Sequence, residues 1–474
     1  MAGEHAVRHF MQLWRDGRGG SEPAWLEKLQ RTSMADLRVD GFPGVHDEDW
    51  MYTASVATRA LDEHDWQPAR MLAAGEAAGK AAAEAAADFA AGFARAAHER
   101  GADLAFFVDG RLSAELSSAS VGGDAGEGAR VIGLAAALAD SPANGEHAAL
   151  LERHLGGAAD HQSAVTQLNT GLFGDGALVL VPDGCACERA VELVFFSTGN
   201  QVVAHPRVLV VVGAGSSLDL TERYVGVEPD SENVGRSRAV TNPVTELLLE
   251  RDARVTHLRL QDESKDVVHL GRIEARVQQG AEYNSQVLVA GGRLVRSEVR
   301  VRLEGRGART VLRGLSLVSG RRLADFHTLV DHVEPGGSSD QLYRSVLDGY
   351  GRAVFTGRVV VHEGASGSSA GQRNDALLLS DGAHASSRPQ LEIYNDDVSC
   401  THGATTGQLD EQSLFYLQQR GLSVDEASSL LARAFATEAL QGVLKGELLG
   451  ELEKLVAGRL AVGGTDVGSK ELQS

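Results

Sequence analysis

Two residues in the segment 391–415, LEIYNDDVSCTHGATTGQLDEQSLF, carry groups that bind soft or borderline metals: the thiol of Cys400 and the imidazole of His402. A thiolate and a neutral imidazole both donate electron pairs to iron, zinc or copper. Standing two apart, they share a face if the segment is extended, and Asp396, Asp397 and Asp410 add acceptor oxygens nearby in sequence. Two donors do not complete a first shell, which takes about four for zinc or for each iron of a cluster. The others must come from elsewhere in the chain or from a partner. Taken bare, such a pair is more often a hydrogen-bonded core histidine beside a packed thiol.

Cys185 and Cys187, in GCACERA, form a second pair with the same spacing. Both thiols could meet one metal, but no histidine or second CxC adjoins them, and buried cysteines commonly pack as small hydrophobes. Other chemistries lack their residues. The sequence has no GxxxxGK[ST], and the nearest fragment, at 75–80, lies in an Ala-rich helical stretch, so no nucleotide binding is expected of this chain. It also has no GxSxG, no HExxH and no CxxC, which removes the commoner hydrolase, zincin and thioredoxin readings.

The elements that must hold these residues follow from length and periodicity. At 474 residues the chain exceeds the size at which one compact core stops growing, so several domains or an extended solenoid are expected. Lys plus Arg number 45 against 65 for Asp plus Glu, a net charge of −20 that argues against nucleic acid as a partner. Three unevenly spaced cysteines are too few for a disulfide framework and fit a reducing, cytoplasmic compartment. The opening MAGEHAVRHFMQLWRDGRGG has no apolar signal region. The Ala-rich run near Lys80 is broken by Glu84, Asp88 and Arg95, so no membrane span is expected.

Residues 1–160 read as a helical N-terminal region with the Ala-rich run as a thinly packed insert. From about Ala164 the period changes to that of strands, in short runs such as ALVLVP, VELVFFS, RVLVVVG and GRVVVHEG bounded by Gly, Asp, Asn or Pro. No helical pattern interrupts them before Asp410. Irregular spacing without blade signatures, with frequent corner glycines, suits a parallel β-helix over 161–407. The fold class is thus mostly β with helical ends.

Over 408–462 the pattern is helical again. Asp410 can cap a first helix bearing Leu414, Phe415 and Leu417, and Gly421 stands where a left-handed residue ends it. The SVDE of Ser423 and Glu426 is a capping box for a second helix with Leu430, Leu431 and Phe435. Leu444, Leu448, Leu449, Leu452 and Leu455 mark a third. These helices are expected to cap the open coil and to offer a partner surface formed by Leu414, Phe415, Tyr416, Leu417, Arg420, Leu430, Leu431 and Phe435. Residues 463–474 are small and polar, a tail expected to be disordered.

The stretches VFTGRVVV, NDALLLSDGA, RPQLEIYNDDVSCTHGATTGQLDEQSLFYLQQRGL and LLARAFATEAL, with weaker agreement through ADFHTLVDHVEPGGSSDQLYRSVL and LNTGLFGDGALVLVP, carry a family resemblance. The chain resembles the SufD family, non-ATPase scaffold subunits of the SUF iron–sulfur cluster assembly machinery. The sibling SufB subunits typically have His-Glu-Ala where His402-Gly403-Ala404 stands here. The resemblance implies a right-handed parallel β-helix, a C-terminal region docking a SufC-like ATPase, and pairing with a SufB-like subunit through the β-helix end. A transient iron–sulfur cluster would be assembled at that junction, with Cys400 and His402 facing it and His402 the better ligand. It implies a scaffold rather than an enzyme. The run GASGSSAGQ at 364–372 lacks the basic residue the family often carries there, so no role for it transfers. Two other readings stand beside this one. A β-helix enzyme acting on polysaccharide would need an aromatic-lined cleft, and aromatics are only 5% of the chain. A homodimeric iron–sulfur carrier would have to load a cluster without a partner.

Overall fold

The computed structural model describes residues 3–17, 22–63, 65–68, 77–122, 128–139, 145–157, 163–199, 201–227 and 238–461. The expected tail at 463–474 and part of the Ala-rich insert lie outside them. Strands follow one another from Gly176–Val181 to Ser399–Gly407 and alternate between two sheets, with only strand between strand among the described residues. The result is a parallel β-helix of about 8 turns flanked by helices, as the strand runs suggested.

Coils stack in register. Leu294 pairs with Leu323 and that with Arg352, while on the other sheet Thr310, Ser339, Ala370 and Cys400 follow one another. Side chains alternate across each strand, so Val210, Leu247, Ile273, Val299, Val330 and Phe355 fill the space between the sheets. Corner glycines permit the tight turns. Gly307, Gly336 and Gly367 take φ of 69°, 72° and 70°, a region disfavoured by a Cβ. Each donates its N–H to a carbonyl of the next coil, at 2.9, 2.9 and 2.8 Å.

Several strands carry apolar rows on both faces because helices cover the outside. On one sheet Phe10, Met34, Leu37 and Leu61 of the N-terminal helices pack on Val240, Val268, Leu294 and Leu323. On the other, Ala436, Leu440, Leu452 and Val456 of the C-terminal helices pack on Leu258, Leu260, Leu288, Leu315 and Leu377. This corrects one expectation: the C-terminal helices lie along the side of the rod, where outward leucine rows need cover, and not across its end.

The helix Ala77–Glu99 is also better packed than its composition suggests. Ala86, Ala90, Phe93 and Ala97 lie buried against Leu104, Phe106, Val194 and Phe196. Small residues let that helix approach the sheet closely. The strand Asp103–Val108 joins the rod beside Val191–Ser197, and a buried helix, Ala164–Leu172, precedes the strand run, which starts at Gly176 rather than near Ala164.

At the far end the sheets stop at His384–Ile393 and Ser399–Gly407, each hydrogen-bonded to a neighbour on one side only. No described helix is long and apolar enough to cross a membrane.

Candidate functional site

Ser399–Gly407 is the last strand of its sheet, and its register places Cys400 on Ala370 and His402 on Gln372. Ala370, Gln372, Asn374 and Ala376 are buried, pointing into the rod. Cys400, His402, Ala404 and Thr406 continue that inward row, but no coil follows to cover them. His402 is therefore exposed and Cys400 half-buried, the latter packed against the cluster of Val359, Val361, Ala365 and Ala370. Burial pushes the Cys400 thiol up, only partly offset by a backbone hydrogen bond at Ala370. The group is thus a thiol near neutral pH, and a metal must displace its proton to be bound. A Cβ at Gly403 would meet nothing within 4 Å, so the approach to His402 is open.

Beneath the site lies a polar floor that sequence reasoning missed. Gln341 and Gln372 stand under His402 in consecutive coils. Their side-chain amide atoms are buried and make no hydrogen bond among the described residues. Glutamines in alternating strands resemble solvent-facing polar residues. The only available signal was their recurrence at equivalent places in neighbouring coils. Thr405 Oγ1 donates to Asp375 Oδ1 at 2.7 Å and ties the edge strand to the coil below.

The aspartates do not complete a ligand set. Asp410 Oδ2 accepts the Ser413 N–H at 2.8 Å as a helix cap, and Asp397 Oδ2 accepts Ser366 Oγ–H at 2.5 Å in a turn. Among the described residues no group of three or more His, Cys, Asp or Glu is placed to hold a metal. Cys400 and His402 thus share one row of the edge strand with no third such group placed beside them among the described residues.

The helices after the edge strand form as the caps suggested. Asp410 caps Glu411–Gln419, Ser423 and Glu426 form the capping box of Val424–Glu438, and Gly421 has φ 99°. The first of these helices buries none of its residues. Phe415 and Tyr416 are 62% and 57% exposed, and Leu430 is 45% exposed. The Arg420 guanidinium lies 5.1 Å from the Tyr416 ring centroid. Leu414, Leu417 and Leu431 are half-buried. Phe435 faces the sheet, its ring centroid 4.5 Å from the Arg344 guanidinium carbon and its carbonyl accepting Arg344 Nη1–H at 2.6 Å. Of the expected partner surface, the apolar residues that stay exposed are therefore Phe415, Tyr416 and Leu430.

Residues 195–435 match a family described as SUF system FeS cluster assembly, SufBD core domain. The chain is 30% identical over 312 residues to a Synechocystis protein described as an iron–sulfur cluster assembly SufBD family protein, covering 65% of this chain and 69% of that one. It is 32% identical over 291 residues to a chloroplastic protein of Arabidopsis thaliana, covering 60% of each. To the iron–sulfur cluster assembly protein SufD of Escherichia coli it is 27% identical over 265 residues, 55% of this chain and 61% of the other.

Proposed function

The chain belongs to the SufBD family of iron–sulfur cluster assembly, and from that premise we propose that it is a SufD-type scaffold whose open β-helix end joins a SufB-like subunit. The observation that carries this reading is the uncovered edge strand Ser399–Gly407 with His402 exposed upon it. Unpaired N–H and C=O groups on a strand edge are a template for another strand. The other terminal strand, His384–Ile393, doubles that template. A partner seated there would cover the inward row and supply the donors that Cys400 and His402 lack. The cluster is cargo in this scheme, built at the junction and passed on.

The patch of Phe415, Tyr416 and Leu430 is the docking surface for a SufC-like ATPase. Force applied there reaches the rod through ion pairs. Glu438 binds Arg344 at 2.7 Å, Glu451 binds the buried Arg223 at 2.6 Å, and Arg459 binds Asp262 at 2.6 Å. The chain needs no nucleotide site if its partner does the hydrolysis.

Site-specific photo-crosslinking in cells that express the SUF subunits tests both contacts. A crosslinker at Thr401 should capture the SufB-like subunit and one at Phe415 the ATPase. Capture of neither at either position would overturn the assignment.

A further inference from the structure

Gln372 lies one coil beneath His402, in an inward row that runs from Leu312 through Gln341. In-register neighbours on parallel strands stand about 4.8 Å apart. Gln372 is 3% exposed, and neither atom of its amide has a hydrogen-bond partner among the described residues, which here run without a break from 238 to 461. A gap in the opposite sheet fixes the direction of the side chain. A Cβ at Gly357 would stand 2.3 Å from Gln372 Nε2 and 2.8 Å from its Cδ, so the amide reaches across the rod into the place of a missing side chain. The polar residues next along its strand are engaged elsewhere. Asn374 Nδ2 donates to Ser387 Oγ at 2.9 Å, and Asp375 Oδ1 accepts Thr405 Oγ1–H at 2.7 Å.

A buried amide without partners is costly, and the next residue of its row is a histidine. A histidine that binds a metal through one ring nitrogen almost always donates its other N–H to an oxygen, which fixes the tautomer and turns the ring. An imidazole turned inward one coil up stands about 4.8 Å over the amide, and a tilt of either side chain brings N–H and Oε1 to a hydrogen-bond distance of about 2.9 Å. Gln341 is two coils from His402, about 9.6 Å away along the row, and is out of reach.

We propose that Gln372 is the positioning residue for His402: when a partner covers the open end, His402 turns inward along its row and donates one ring N–H to Gln372 Oε1, which leaves the other ring nitrogen bare and aimed at the junction. The inference rests on the reading that the cluster is built at that end. Covering the end favours this bond for two reasons. It satisfies the buried Gln372 carbonyl, and it satisfies a ring N–H that the covered histidine would otherwise bury unpaired.

The test uses the full-length chain, alone and in the complex reconstituted anaerobically with its SufB-like and SufC-like partners. Gln372→Met keeps the length and removes the acceptor, whereas Gln372→Glu keeps an acceptor. Alone, Gln372→Met should unfold at a urea midpoint equal to or above that of the wild type, because no hydrogen bond of the isolated chain is lost. In the assembled complex, verified by intact mass, it should lose cluster to an iron chelator about tenfold or more faster, while Gln372→Glu and Gln341→Met should hold cluster as the wild type does. A Gln372→Met complex that resists the chelator like the wild type, an equal loss in Gln341→Met or Gln372→Glu, or a loss accompanied by a lower midpoint and poorer assembly would each overturn the positioning role. His402→Ala separates this claim from the one beneath it. If His402→Ala loses cluster and Gln372→Met does not, the positioning role alone falls; if neither loses it, the site at the open end falls as well.

Discussion

Arg207 and Glu246 are both fully buried and paired, and Arg207 Nη1 donates besides to Asn169 Oδ1 at 2.9 Å and Thr170 Oγ1 at 3.1 Å. Removing one partner of such a pair strands a charge, so Arg207→Ala should cost about 3–5 kcal/mol, read from the urea midpoint. His402 is the contrast. It is exposed on an edge strand, so His402→Ala should change stability by less than about 0.5 kcal/mol while removing the imidazole proposed to face the cluster. Comparing the two variants by urea denaturation checks the division between structural and functional residues. Cys400 and His402 were legible because their atoms are few in proteins and specific in chemistry. Arg207, Glu246 and the interior group of Glu222, His257 and Arg259 were not. In sequence, a charged residue on a strand reads as facing solvent, and only the fold brings the Arg259 guanidinium within 2.8 Å of Glu222 and the His257 ring within 3.1 Å.

At the level of elements, the C-terminal helices separate what is local from what is not. Their caps depend on residues three positions apart, so the sequence displays them; their docking depends on leucines from Leu258 to Leu377, so it does not. Leu452 is fully buried in that docking interface. Leu452→Ala should therefore cost about 2–5 kcal/mol, whereas Asp410→Ala should cost about 1 kcal/mol, the loss of one cap. Limited proteolysis should then release the C-terminal helices readily from the first variant and barely from the second. If both behaved alike, the helices would not be held by the packing described. The Ala-rich helix teaches the same lesson in reverse. Its lack of large apolar residues pointed to thin packing, yet small residues pack well where a sheet is near enough to touch.

Across the whole molecule, buried titrating groups set the response to acid. Burial raises Glu298 and Asp325, but Arg296 and Arg272 for the first, and His327 and Arg296 for the second, more than offset it and hold both at about 2. Their stabilisation is complete above their ordinary values of 4.5 and 3.8 and is lost as pH falls toward 2. Burial also holds His205 and His332 neutral down to about 4, so between 6.5 and 4 the unfolded chain takes up protons that the folded chain refuses. Asp109, pushed up to about 6 by burial, works the other way over a single group. The melting temperature should fall steadily as pH drops below 6.5, a course that calorimetry follows directly. The rod was readable from strand runs and corner glycines, while the uncovered end was visible only once the coils were stacked. That end is where the cluster is proposed to form. Anaerobic reconstitution with SufB-like and SufC-like partners, comparing wild type with His402→Ala, measures it by cluster absorbance in the intact complex. The variant should assemble with its partners and form little cluster; undiminished cluster in a fully assembled complex would rule out a role for His402 at that end.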